Sequence, residues 1–224
     1  MDLITIDFET YYNKQYSLSK ITTEAYIRDN RFEVIGVAVK VNNGATEWAS
    51  GTHEEIKHYF TCFNWADSAV VAHNCLFDGA ILSWIFGVHP RMFIDTLSIG
   101  RAVHGVEVGG SLAALAGRYN VGAKGNEVVS AMGKGRLDFT DAELDRYGDY
   151  CINDVELTFK LLAKMGADFP KKEMKVIDIT LRMFIDPVLD LDIGLLEQHL
   201  ENTKDIKDKL LEEAQADKKS LMSN

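Results

Sequence analysis

The chain has 224 residues, 46% of them hydrophobic and 26% charged, which suits one packed domain with a modest extension and excludes a disordered tail. No run approaches the roughly 20 apolar residues that a membrane-spanning helix needs, and an N-terminus carrying Asp2, Asp7 and Glu9 lacks the basic start and apolar core of a secretory signal. The net charge of −10 opposes phosphate binding, but residues 91–136 hold six basic side chains against three acids, so that stretch is +3 and the remainder −13.

In chain order, Leu3–Phe8 alternates, with Ile4, Ile6 and Phe8 on one face and Leu3, Thr5, Asp7 and Glu9 on the other, which predicts a strand. Residues 10–30 are polar and Tyr-rich and read as a loop with a short helix. Glu33–Val41 is rich in β-branched residues, and Asn42-Asn43-Gly44 turns it into a third strand over Ala45–Ala49. A helix follows over His53–Phe60, then a short apolar strand over Ala69–Ala72, left through His73-Asn74. Leu76–Phe86 reads as a helix, Met92–Ile94 as a strand, Asp95 as the N-cap of another helix, and Ser111–Arg118 as a further short one. Eight of the 17 glycines fall between Gly105 and Gly135, which predicts a mobile loop region coinciding with most of the basic stretch. Thr140-Asp141-Ala142-Glu143 is a capping box that opens a helix running to about Lys164, with Gly166 as its stop. Residues 172–185 and 192–219 read as two more helices. Three early strands followed by alternating strands and helices describe a mixed α/β sheet.

Three acidic motifs fall on informative elements. Asp7 and Glu9 share a face at the end of the first strand, about 6.5–7 Å apart along the backbone. Asp78 lies in the first turns of a helix leaving the carboxyl end of a buried strand, where open α/β sheets place ligands. Tyr150 and Asp154 are i and i+4 on the Thr140 helix and therefore neighbours on one face. Each motif alone is common. Their combination and order are not. Cys62, Cys75 and Cys151 form no C-x-x-C pair, which suggests neither a disulfide framework nor a zinc site, and fits reduced thiols in a cytoplasm.

A strand-borne D-x-E, a post-strand H-N-x-x-F-D and a helical Y-x-x-x-D in this order resemble the DnaQ-like 3′–5′ exonucleases of the ribonuclease H-like superfamily, in the subclass with four acids and a tyrosine. The proofreading domain of family A DNA polymerases, phage ones in particular, is the most similar pattern. The resemblance implies a ribonuclease H-like α/β fold, with three antiparallel strands and then parallel ones, flanked by helices. It also implies that Asp7, Glu9, Asp78 and Asp154 bind two divalent metals, Mg²⁺ or Mn²⁺, while Tyr150 positions the attacking water. Asn74 matches the family's Asn four residues before the middle Asp, and is expected to hold the terminal nucleotide.

Residues 1–168 are expected to form the exonuclease domain. Residues 169–224 are expected to form a helical extension, since Arg182-Met183-Phe184 through Leu196 resembles the start of a polymerase region. The expected partner is the single-stranded 3′ end of DNA, together with a polymerase portion of the same polypeptide and no membrane. Tyr11, Tyr12, Phe77 and Tyr147 are candidate stacking surfaces for a base. Lys124, Lys134 and Arg136 are candidate phosphate contacts from the glycine-rich loop. Two other readings stay open: the same chemistry on RNA by a stand-alone enzyme, and a catalytically idle nucleic-acid-binding domain of a polymerase.

Overall fold

The strand predicted at the N-terminus, β1 (Asp2–Thr10), is the middle of a five-stranded sheet in a computed structural model that describes residues 1–125 and 131–214. Its alternation is realised: Ile4, Ile6 and Phe8 enter the larger core, while Leu3 packs on the opposite side of the sheet. β2 (Val34–Val41) pairs antiparallel with β1, and β3 (Thr46–Ala49) antiparallel with β2. On the other side β4 (Ser68–Ala72) and β5 (Met92–Asp95) run parallel, giving the order β3-β2-β1-β4-β5. This is the ribonuclease H-like mixed sheet that the motifs implied.

Register matters more than strand count. Parallel pairing of β1 with β4 ends at Thr5↔Val71, whereas antiparallel pairing with β2 continues through Asp7↔Ala38 and Glu9↔Gly36. The last third of β1 therefore runs past the carboxyl end of β4, and its outward side chains face a notch in the sheet. The early helices are α1 (Thr23–Ile27) and α2 (His53–Phe60), the latter opened by a Thr52–Glu55 capping box. α3 (Cys75–Ala80) leaves β4 through Asn74, which adopts φ 69°, a left-handed conformation that Asn tolerates better than most residues. The helix expected to reach Phe86 does so, but changes to a π-helix over Ile81–Ile85. α4 (Thr96–His104) is capped by Asp95 and α5 (Leu112–Tyr119) by Ser111. Among its described residues the glycine-rich region holds the regular helix α5, and residues 126–130 lie outside the described residues.

α6 (Asp141–Met165) begins at the expected capping box and lies across β1, β2 and β3. Its buried positions, among them Tyr147, Tyr150, Cys151, Asp154, Thr158 and Leu161, follow the i, i+3, i+4, i+7 spacing of a single helical face. Two contacts set how it lies. Lys40 on β2, itself buried, reaches Glu156 at 2.7 Å, and Thr46 on β3 donates to the same carboxylate. Gly148 meets the indole of Trp48 so closely that a Cβ there would lie 2.6 Å from the ring.

The chain divides into two compact units, Met1–Pro187 and Val188–Asn224. α7 (Lys171–Ile185), which the sequence assigned to the extension, packs within the first unit. Arg182 bonds the carbonyl of Pro90, Asp178 accepts from the Phe93 amide, and Ile185 fills the space that Gly79 leaves open. The second unit is described as far as residue 214. It holds α8 (Ile193–Glu213), no residue of which is buried, and residues 215–219 of the predicted helix lie outside the described residues. No helix among the described residues is long and apolar enough to cross a membrane.

The Gly148–Trp48 approach yields a test. Gly148→Ala gains about 1 kcal/mol of helix propensity but overpacks a tight contact, and the clash wins. A net loss of about 1–2 kcal/mol is expected from urea unfolding, and an unchanged midpoint would show that Trp48 does not hold α6 in place.

Candidate active site

Three elements meet at the notch beside β4. Asp7 and Glu9 come from β1, Asp78 from α3 and Asp154 from α6. Glu9, Asp78 and Asp154 are buried, and Asp7 is partly so. A ligand oxygen from Asp7 and one from Glu9 lie within 4.8 Å of each other and of the Cys151 sulfur. Asp78 accepts the backbone N–H of Phe8 at 3.1 Å, taking a donor that β1 offers where β4 has ended. Asp154 faces the same space from the helix, and its charge acts on both Asp7 and Glu9.

Burial and crowding act together on these acids. Burial first, and then the charge of Asp154, push Asp7 up to about 7, against the opposing pull of Lys124 and the Cys151 thiol. Burial, followed by Asp7, raises Glu9 well above the ordinary carboxylate range. The same two causes raise Asp78, although the Phe8 amide counteracts them. Like charges this close cannot all ionise without a counter-charge.

Lys124 provides one. Its ammonium lies on the Asp154 carboxylate and 5.1 Å from the centre of the Tyr150 ring. The donor set fits a hard divalent cation: carboxylate oxygens from three elements, already drawing a positive charge. Cys151 is no thiolate ligand, because burial and its acidic neighbours keep its thiol protonated, and it donates to the Asp7 carbonyl at 3.2 Å.

The two tyrosines of α6 divide their work. The Tyr150 hydroxyl bonds Asp154, and burial reinforced by that carboxylate pushes its pKa far up, so it keeps its proton. Tyr147 was expected to stack on a base. Its ring stacks with Phe139, at 5.5 Å, and with Tyr150, at 6.2 Å, and its hydroxyl donates to Glu9. Two aromatic rings and the Glu9 carboxylate thus engage the side chain that the sequence offered as a stacking surface.

The remaining candidates separate. Phe77 is half-buried and lines, with Tyr12, Leu18 and Glu9, a groove of about 360 Å³. Tyr11 turns away to stack on Tyr16. Asn74 and Lys124 line a second cleft on α4 and α5. Lys134 is held by Glu143 at 2.7 Å, and Arg136 lies in a separate depression with Glu33 and Trp84, so neither touches the acids. Sequence reasoning missed Cys151, although it shares the helical face of Tyr147 and Asp154, and it also missed Arg101 in the second cleft.

A family model described as 3′–5′ exonuclease matches residues 3–169. No curated protein matches the sequence. Among solved structures, NrnC of Brucella melitensis is 14% identical with a TM-score of 0.57, over 82% of this chain and 81% of that one. RNase D of Trypanosoma brucei in complex with RNA U12 is 13% identical with a TM-score of 0.61, over 84% and 66%. The family B DNA polymerase of the archaeon Pyrobaculum calidifontis is 17% identical with a TM-score of 0.57, over 83% of this chain and 27% of that one. At these identities the likeness speaks to the fold.

The raised carboxylates set a pH dependence. Between the ordinary Asp value near 4 and about 7, the unfolded chain has lost the Asp7 proton while the cation-free fold retains it. Stability therefore falls as pH rises through that window, and the full penalty applies above it. In chelator, Asp7→Asn is expected to exceed the wild type in stability at pH 8 by up to about 4 kcal/mol, and to match it near pH 4. An equal difference at both pH values in urea titrations would contradict the crowding argument.

Proposed function

The chain belongs to the DnaQ-like 3′–5′ exonuclease family, and from that premise we propose that it hydrolyses the terminal phosphodiester at a single-stranded 3′ end of DNA and releases nucleoside 5′-monophosphates. The observation that carries this reading is the convergence of Asp7, Glu9, Asp78 and Asp154 from three separate elements on one notch. These four carboxylates would hold two divalent cations, Mg²⁺ or Mn²⁺. Bound there, the cations supply charge stabilisation to the attacking and leaving oxygens of an in-line displacement at phosphorus.

The chain's own groups do the positioning. Tyr150 holds its proton and so orients the attacking water through hydrogen bonds without deprotonating it. Tyr147 fixes one oxygen of Glu9, and Cys151 ties the backbone of Asp7 to α6. Phe77 and Tyr12, beside Glu9, offer the terminal base an aromatic wall, a kind of contact worth about 1–3 kcal/mol per base. Asn74 and Lys124 meet the nucleotide from the opposite side. Residues 1–168 carry this activity, with α7 packed against them, and the stretch from 169 on resembles the start of a polymerase region. In the wider reading, the chain is the proofreading portion of a family A polymerase of phage type. It acts in a cytoplasm, where the free thiols of Cys62, Cys75 and Cys151 stay reduced.

A second reading, a stand-alone 3′–5′ exoribonuclease, draws support from the likeness to an RNase D solved with RNA U12. Digestion of matched DNA and RNA single strands separates the two.

A strand labelled at its 5′ end should shorten stepwise from its 3′ end with Mg²⁺ and stop on addition of chelator. Asp7→Ala and Asp154→Ala should each lower the rate by roughly 10³-fold or more with the fold intact, and Tyr150→Phe by about 10- to 100-fold. Full activity of Asp7→Ala would remove the assignment.

A further inference from the structure

Of the four acids in the notch, Glu9 has the most to gain from being held. A glutamate has one more rotatable bond than an aspartate, and fixing its side chain costs up to about 2 kcal/mol of rotamer freedom. The three aspartates are short and individually tied. Asp78 accepts the Phe8 amide, Asp7 the Cys151 thiol at 3.5 Å, and Asp154 meets Tyr150 and Lys124. Glu9 is tied at its far end: its Oε2 accepts the hydroxyl of Tyr147, which reaches it from α6.

The donor is itself braced. Tyr147 is 3% exposed, and its ring stacks with Phe139 at 10° between the planes and with Tyr150 at 17°. Phe139 stands just ahead of the Thr140 cap of α6, and the Lys134 ammonium lies 5.3 Å from its ring centre while bonding Glu143 in the first turn. Lys134, expected at a phosphate, is thus the outer end of a line that runs through Phe139 and Tyr147 to Glu9. A tyrosine buried for packing alone can satisfy its hydroxyl on any nearby carbonyl. This one directs it to a carboxylate of the notch.

We propose that Tyr147 is a positioning residue: by fixing Oε2 of Glu9 it presents that carboxylate to a divalent cation, and so sets the affinity of the notch for metal. The inference rests on the two-cation reading above. A phenol suits the role. Its O–H gives a charge-assisted bond to a carboxylate, yet it adds no positive charge to a place that must take up cations, as a lysine or arginine donor would. Hydrogen-bond partners of metal-binding side chains are typically worth about 10- to 100-fold in metal affinity or activity.

The test measures metal binding apart from cleavage. The paramagnetic resonance signal of free Mn²⁺, followed without substrate, compares the wild type, Tyr147→Phe, Glu9→Gln and the double variant. Tyr147→Phe keeps the ring and its stacking, and is expected to weaken Mn²⁺ binding roughly tenfold. In the Glu9→Gln background the same change should cost less than about twofold, because the hydroxyl acts through that carboxylate. Tyr119→Phe removes a hydroxyl that bonds His104 away from the acids, and should bind Mn²⁺ as the wild type does. Equal affinity of wild type and Tyr147→Phe would overturn the role, as would the same loss with and without Glu9. Should circular dichroism show Tyr147→Phe unfolded, Phe139→Leu takes its place. It keeps the hydroxyl but loosens the ring, so weaker binding is expected, and wild-type affinity would overturn the proposal as well. A wild type that binds no Mn²⁺ would sink the cation reading and this role together. One that binds Mn²⁺ but shortens no strand would sink the nuclease reading alone, with the role of Tyr147 still decided by the resonance signal.

Discussion

Carboxylates gathered out of water repel one another, and the architecture of this chain is largely a means of holding four of them in place against that repulsion. β1 is pinned on one side by β2 from Ile4 to Thr10, and abandoned on the other by β4 after Thr5. The vacated edge exposes the Phe8 amide, which Asp78 takes, so the sheet's own unsatisfied donor becomes the tether of an acid. α6 closes the notch from the opposite face, held by Lys40–Glu156 on the sheet side and by the near-contact of Gly148 with Trp48. Remove any of these supports and the acids would separate to where they could ionise in water. A fixed cluster implies a counter-charge.

Much of this was legible because the motifs sit where periodicity is strongest. The alternation of Leu3–Phe8 placed Asp7 and Glu9 on one face, and the Thr140 capping box fixed the start of α6, so Tyr150 and Asp154 fell into register. The meander turn at Asn42-Asn43-Gly44 and the cap at Asp95 were equally local signals. What escaped depends on contacts between distant segments. The face of Tyr147 was readable, but not that its ring would stack with Phe139 and its hydroxyl aim at Glu9, 138 residues away. Lys124 was read as a surface phosphate contact because nothing local couples it to Asp154. Likewise, the packing of Ile185 against Gly79 drew α7 into the first unit without any signal near residue 168.

Two depressions flank the notch and differ in character. The groove at Phe77 and Tyr12 is aromatic and polar, whereas the cleft at Arg101 is cationic. A nucleotide has a flat apolar base and a charged backbone, and on the proposed nuclease reading these surfaces would separate the two demands. The net negative charge of the chain sharpens that division, because any polyanion approaching it meets attraction in few places.

The Lys124 ammonium has an effect on how cation uptake would be measured. A divalent ion seeking the Asp154 oxygens competes with a positive group that the chain itself supplies, so the observed affinity is the intrinsic one reduced by whatever it takes to dislodge the lysine. The lysine lies in the segment bound to α6 through Asn153, whose side chain donates to the Ala123 carbonyl. On the proposed two-cation reading, loading the protein with metal and freeing Lys124 from Asp154 would be one equilibrium seen from two sides.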